Sequence, residues 1–309
     1  MHFRAILLTT ILAFTACCLQ PAVVNAQTAP SGATFRAGVD LVSVAAVVRD
    51  KKGRVVRTLT ADDFTVTDAD QPRAIVNLHA DDESPASVAL LIDGSGSMRL
   101  NQSIQSSRWI CEIILHRLQE AGDLAALMSF DTRLVTLREF TSQFDEIRAG
   151  LADLNTFGST SIYDAIAGTA AAVAARTQQR RAIVVVTDGS DNASRYSPQD
   201  VARIASTIDV PVYVFAVGDM TADETSGEDA PPPLALAELA HATGGDYFRA
   251  DSPARAHAAV TRLLDELRHQ YQIVFEPEPG TDLRRIDVRT KQANLTVRAR
   301  TWYAPGSTD

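Results

Sequence analysis

Three short segments of this chain carry side chains that can share one cation. Leu90-Leu91-Ile92-Asp93-Gly94-Ser95-Gly96-Ser97-Met98 is an apolar run that enters a turn bearing one carboxylate and two hydroxyls at alternate positions. Gly158-Ser159-Thr160 adds a hydroxyl, and Val184-Val185-Val186-Thr187-Asp188-Gly189 is a second apolar run that ends in a carboxylate. Asp93, Ser95, Ser97, Thr160 and Asp188 together supply two carboxylates and three hydroxyls, all oxygen donors. That set suits a hard divalent cation, Mg²⁺ first, with Mn²⁺ or Ca²⁺ as the other candidates. Two carboxylates balance the ion without over-neutralising it, so it stays electrophilic and open to an outside carboxylate. A storage Ca²⁺ site would bring more carboxylates, so affinity for the ion alone is expected to be weak, on the order of 10⁻⁴–10⁻³ M.

Bringing these segments together requires a particular kind of sheet. From residue 87 onward apolar strands alternate with helical stretches. Strands are expected over 87–92, 124–130, 134–137, 182–187, 212–217 and 246–248. Helices are expected over 103–118, 144–154, 162–176, 197–208, 234–242 and 252–268. The central strands are continuously hydrophobic, as strands covered by helices on both faces must be. The fold class is therefore α/β, a doubly wound, mostly parallel sheet. In the common strand order 3-2-1-4-5-6 the first and fourth strands are neighbours at the point where the order reverses. Asp93 ends the first strand and Asp188 follows the fourth, so the two carboxylates meet there. Gly94, Gly96 and Gly158 let the backbone turn tightly enough for the hydroxyls to point inward.

The flanks are different. Residues 34–80 and 271–305 show strand alternation broken by turn signals such as Asp50-Lys51-Lys52-Gly53 and Gly280-Thr281-Asp282. Neither flank has enough strands to bury a core alone, so the two are expected to pair into one small β module around an α/β domain of 85–270. Residues 1–26 read as a signal peptide, with an apolar run over 5–19 and Val24-Asn25-Ala26 as the cleavage site. A retained anchor is the other reading, but the run is short for a membrane span. Cys17 and Cys18 offer a lipoprotein cut, although Phe14 stands where a small aliphatic residue is usual. The chain is then exported, periplasmic or extracellular, and meets a membrane only if lipidated. Loss of the leader leaves Cys111 as the last of three cysteines, so no intrachain disulfide can form. Its helical spacing from Trp109, Ile110 and Ile114 marks a buried thiol. With 309 residues, 46% of them hydrophobic, the chain can build a substantial core, and 6% aromatic content makes that core aliphatic. A net charge of −9 argues against nucleic acid and anionic lipid as partners.

Plainer roles compete for several of these residues. Ser95 or Ser97 alone could cap the following helix. Asp131 either supports the site from behind or shapes a turn. Asp164 suits the first turn of a helix, and Asp191, which could add charge near the site, is expected to face solvent. Nucleophilic catalysis fits poorly. Asp93 stands where a G-x-S-x-G elbow needs glycine, and no histidine lies in a suggestive context. Phosphate-loop and dinucleotide fingerprints are absent, and no general base for metal-assisted hydrolysis is evident.

Taken together, Asp93-Gly94-Ser95-Gly96-Ser97, Thr160 and Thr187-Asp188-Gly189 resemble the metal-ion-dependent adhesion site of von Willebrand factor A domains. Three separated segments match all five ligand positions in order, within a resemblance that covers roughly 87–267. It implies that Ser95 and Ser97 bind the metal directly. Thr160, Asp188 and Asp93 would bind directly or through water, with Asp131, Gly94, Gly158 and Gly189 as surrounding supports. The flanks Val39-Asp40-Leu41-Val42, Leu59-Thr60-Ala61-Asp62-Asp63-Phe64 and Val297-Arg298-Ala299-Arg300-Thr301-Trp302-Tyr303-Ala304-Pro305 are similar to a group of secreted bacterial A-domain-related proteins. An acidic, Pro-rich loop at 218–233 departs from that pattern. The expected function is non-enzymatic, metal-dependent binding of a protein or peptide with an exposed Asp or Glu. One alternative is an assembly subunit of an envelope complex with a structural metal. A metal-dependent hydrolase is the other.

Overall fold

The structure, a computed structural model, describes residues 41–80, 84–178, 180–189, 191–218, 234–280 and 282–305. The leader, the start of the N-terminal flank and the loop at 219–233 lie outside these residues. The chain begins with β1 (Val42–Asp50), β2 (Phe64–Asp68), β3 (Gln71–Arg73) and β4 (Ile75–Ala80). The α/β run starts with β5 (Ala86–Asp93), α1 (Ser103–Arg117), β6 (Leu124–Phe130), β7 (Leu134–Thr141), α2 (Phe144–Ala152) and α3 (Ile162–Ala174). It continues through β8 (Arg180–Thr187), α4 (Pro198–Thr207), β9 (Val212–Ala216), α5 (Leu234–Ala242), β10 (Tyr247–Arg249) and α6 (Pro253–Arg268). The closing strands are β11 (Tyr271–Phe275), β12 (Arg284–Thr290), β13 (Leu295–Ala299) and β14 (Trp302–Tyr303).

The α/β run forms a six-stranded sheet in the order β10-β9-β8-β5-β6-β7. All its pairs are parallel except β6 with β7. Every residue of β5 is buried because both faces are covered. Leu90, Ile92, Val184 and Val186 pack into a core with α1 and α6, where the Cys111 thiol is buried. Ala89, Leu91, Ile183 and Val185 pack on the other side with α3, α4 and α5. Counted within this run, the strand order is the expected one, and the switch point falls between β5 and β8. Their register pairs Ile92 with Val186. Asp93 and Thr187 therefore finish their strands side by side at the carboxyl edge, where the crevice of such a sheet opens.

The flanking strands form two antiparallel sheets, β13-β1-β11-β4 and β14-β12-β2-β3. Each sheet takes strands from both flanks. Val44, Phe64, Val66, Tyr271, Phe275 and Tyr303 fill the core they share. Residues 295–303, which alternate like one strand, are in fact two. The chain leaves the first sheet after Ala299 and enters the second at Trp302. Arg300 makes the break. Its buried guanidinium turns inward and donates to the carbonyls of Ser206, Thr207 and Ser43, tying the end of α4 to β1.

A buried ionic cluster joins these sheets to α6. Glu266, wholly buried, meets Arg49 of β1 at 2.7 Å, Arg262 at 3.3 Å and Arg298 of β13. Asp246 meets Arg262 at 2.9 Å, Arg298, and the His241 ring at 3.1 Å. Burial raises the Asp246 carboxyl, but the His241 hydrogen bond and the charges of Arg298 and Arg262 outweigh it. The net effect is a fall from 3.8 to about 2. A depressed carboxylate stabilises the fold above its unfolded value and loses that contribution as pH falls through its folded value. About 2 kcal/mol of stability should therefore vanish between pH 4 and 2. Denaturant midpoints across that range check this. Asp246→Asn should be less stable at neutral pH and flatter below pH 4, and equal acid slopes in both proteins would refute it.

Candidate metal centre

The site is built where β5 and β8 end. Asp93 is wholly buried. One of its oxygens accepts the Ser95 N–H at 2.8 Å, and the other accepts the Thr187 hydroxyl at 2.6 Å. Thr187 in turn accepts the Gly189 N–H at 3.0 Å across Asp188, which is partly exposed. The turn after Asp93 needs a residue without a side chain. A Cβ on Gly94 would lie 2.8 Å from the Ser129 hydroxyl and 3.1 Å from the Asn155 carbonyl. Gly158 adopts φ +85, the left-handed region. Its carbonyl accepts the Gly96 N–H at 3.1 Å, and the Gly94 carbonyl accepts the Phe157 N–H at 2.7 Å. Two turns distant in sequence are thus sewn together by their backbones.

Ser95 stands at the N-cap of a 3₁₀ turn, Gly96–Gln102, yet its hydroxyl makes no capping bond. It lies 3.0 Å from the Ser97 hydroxyl instead. The capping role open to these serines is therefore not the one Ser95 takes. Thr160 is buried and clasped by the loop after β8. Its N–H donates to the Asn192 side chain at 2.9 Å, and its carbonyl accepts the Asn192 and Ala193 N–H groups at 3.0 Å. Sequence reasoning passed over both Thr187 and Asn192. The available signals were the lone hydroxyl at the end of a valine run and the Asp-Asn pair shortly after Gly189.

Asp191 corrects an expectation. It does not simply face solvent. Its carboxylate accepts the Ile162 N–H at 2.8 Å and the Ser194 hydroxyl at 2.7 Å, which caps the start of α3. Asp164 is a first-turn residue as expected, holding the Arg195 and Tyr196 N–H groups at 2.9 and 3.0 Å. Asp131 takes the turn role. One oxygen accepts the Arg133 N–H at 2.9 Å in a turn, and the other lies 3.4 Å from where a Gly158 Cβ would sit.

Burial lifts the Asp93 carboxyl above its ordinary value; the Thr187 and Ser95 hydrogen bonds pull it back in part, and the charge of Asp188 pushes it further. Among the described residues the donors to Asp93 are neutral, so they solvate its charge without balancing it. Among the described residues no three His, Cys, Asp or Glu side chains cluster to hold a metal. The donor set expected from the sequence is of another kind, two carboxylates with hydroxyls, a chemistry that suits a hard divalent ion; hydrogen bonds join Asp93 to Ser95 and Ser95 to Ser97. Thr187→Val should cost about 1.5–3 kcal/mol, because it removes a hydrogen bond to a buried charged group while keeping the volume. A urea midpoint equal to the wild type would show that bond to be immaterial.

Residues 88–190 match the family model of the von Willebrand factor type A domain, so the chain carries a VWA domain. Domains of this family are generally non-catalytic, often bind divalent cations and typically mediate protein interactions. No curated protein matches the chain. Several solved structures are similar to it. An aerotolerance-related membrane protein from Bacteroides fragilis is 20% identical, covering 59% of this chain and 99% of that one, with a TM-score of 0.48. BatB from Bacteroides thetaiotaomicron is 19% identical, covering 59% and 98%, with a TM-score of 0.48. A von Willebrand factor type A protein from Catenulispora acidiphila is 13% identical, covering 88% and 76%, with a TM-score of 0.49.

Proposed function

We propose that this protein is a divalent-metal-dependent protein-binding module, exported from the cell, whose partner supplies a carboxylate to the metal. One observation carries the reading. The Ser95 hydroxyl makes no capping bond and pairs with the Ser97 hydroxyl beside a buried carboxylate that, among the described residues, is met by neutral donors. In this reading Asp93, Ser95, Ser97, Thr160 and Asp188 hold a Mg²⁺-class ion. The ion supplies Lewis acidity toward an outside Asp or Glu. The chain's own part is to keep Asp93 in place through Thr187 and Ser95, and to fix Thr160 through Asn192. Among the described residues no helix is long and apolar enough to cross a membrane.

Titration of Mg²⁺, Mn²⁺ and Ca²⁺ into the folded chain by calorimetry, beside Asp188→Ala, tests the site. Saturable heat that the variant loses supports it, and no heat from the folded wild type overturns it. The complete burial of Asp93 favours a second reading, in which the metal mainly stabilises an assembly subunit. A large fall in melting temperature on chelation, with no metal-dependent ligand, would select that reading.

A further inference from the structure

Beside the proposed cation site lies a ledge that ion binding does not use. The Arg99 guanidinium stacks 4.1 Å from the centre of the Phe157 ring, and its Nε donates to the Thr156 hydroxyl at 3.0 Å. Phe157 is fixed at the site because its N–H is bonded to Gly94, between Asp93 and Ser95. Arg99 and Leu100 lie in the 3₁₀ turn that also carries Ser97. Phe157 and Leu100 each keep 63% of their surface exposed. Single exposed apolar residues need no explanation. Phe157, however, directly precedes the Gly158 turn, Leu100 lies in the turn that carries Ser97, and Arg99, stacked on the Phe157 ring, is Leu100's neighbour in sequence. Among the described residues the terminal nitrogens of Arg99 have no hydrogen-bond or ion-pair partner. They give an otherwise acidic chain a positive charge at the rim of the site.

We propose that Arg99, Leu100 and Phe157 form a specificity ledge. It selects protein segments in which a bulky apolar side chain stands within a few residues of the metal-seeking Asp or Glu. This rests on the metal-dependent reading above. The carboxylate would complete the metal shell, the apolar side chain would cover the Phe157 ring and Leu100, and the Arg99 amino groups would take a carbonyl or second carboxylate of the same segment. Aromatic and arginine side chains are the types that most often anchor such contacts.

The test uses immobilised heptapeptides with one central Glu and varied neighbours, probed with the labelled full chain in Mg²⁺ and in EDTA. Wild type, Phe157→Ala and Leu100→Ser are compared, with a Mg²⁺ titration on each. The expected result is Mg²⁺-dependent capture of peptides with Leu, Ile or Phe near the Glu. Both variants should weaken it on the order of tenfold while their cation heats match the wild type. Capture of Glu peptides regardless of neighbours, or unchanged capture by both variants, would overturn the ledge and leave the metal reading standing. Cation heat without capture of any Glu peptide would also overturn the ledge. A wild type that binds no cation would overturn the metal reading itself, and the ledge with it.

Discussion

Asp93→Asn is expected to lose cation binding and, in chelator, to melt higher than the wild type. Both effects follow from one geometry. Asp93 is wholly buried, and among the described residues its oxygens meet neutral donors, the Ser95 N–H and the Thr187 and Ser95 hydroxyls. A buried carboxylate served by neutral donors is tolerated, but its charge carries a desolvation cost that those donors do not repay. Asparagine keeps the shape and still accepts from Ser95, while its amide group can face the Thr187 oxygen. Removing the charge should raise the metal-free stability by on the order of 1 kcal/mol, even after the Thr187 hydroxyl loses its acceptor. The same change takes away one of two negative charges that would hold a +2 ion. An affinity already near 10⁻³ M should then pass beyond measurement. Added Mg²⁺ should therefore stabilise the wild type and leave the variant unmoved, reducing or reversing their order in a thermal melt. If the variant melts lower than the wild type in EDTA and still responds to Mg²⁺, Asp93 is an ordinary hydrogen-bonded side chain and the metal reading loses its centre.

The parts of this molecule legible in the sequence are those where one physical constraint acts alone. The run over 87–92 is apolar at nearly every position because β5 is covered on both faces, so its burial could be read directly. The adjacency of β5 and β8 followed from the common strand order of doubly wound sheets rather than from any residue. That is why carboxylates far apart in sequence could be placed together. Legibility failed where two constraints coincide. Residues 295–303 keep strand alternation straight through a change of sheet, because both sheets face the same core and the pattern does not change phase. Only Arg300, a buried cation among strand residues, marks the switch. The strand at 134–137 extends to Thr141 because β7 is an antiparallel edge strand with register shifts against β6, which blur its alternation. Thr187 reads as the last β-branched residue of a strand, and its second role toward Asp93 depends on a partner 94 positions away. Asp191 was assigned to solvent because polar residues after a strand usually go there; its partner, the Ile162 N–H, lies 29 positions earlier.

Glu266→Ala should be the most damaging single change away from the site, costing about 3–5 kcal/mol in urea unfolding. Glu266 is the hub at which α6 meets β1 and β13. Its carboxylate is wholly buried, and the Arg49 and Arg298 side chains around it are only 10% and 15% exposed. Truncation leaves Arg298 and Arg262 with the Asp246 carboxylate alone and Arg49 with backbone carbonyls alone, so two buried cations lose a counter-charge. The Tyr213 hydroxyl, buried nearby and pushed well up by burial and then by the charge of Glu266, cannot ionise to replace it. Arg262→Ala is the internal control. That side chain is 44% exposed, and its loss should cost no more than about 1 kcal/mol. Glu266→Leu combined with Arg298→Leu should recover much of the deficit of Glu266→Leu alone, because it withdraws an uncompensated charge and fills the space with apolar volume. The same experiment asks what holds the two halves of the chain together. The flanking sheets and the α/β layer belong to one compact unit, and α6 runs into β11 with only His269 and Gln270 between them. If the ionic hub is the principal bond between the layers, Glu266→Ala should split one unfolding transition into two, with the flanking sheets lost first. A single transition at an unchanged midpoint would assign the bond instead to the shared backbone and to Arg300, and would show these charges to be as dispensable as a surface pair.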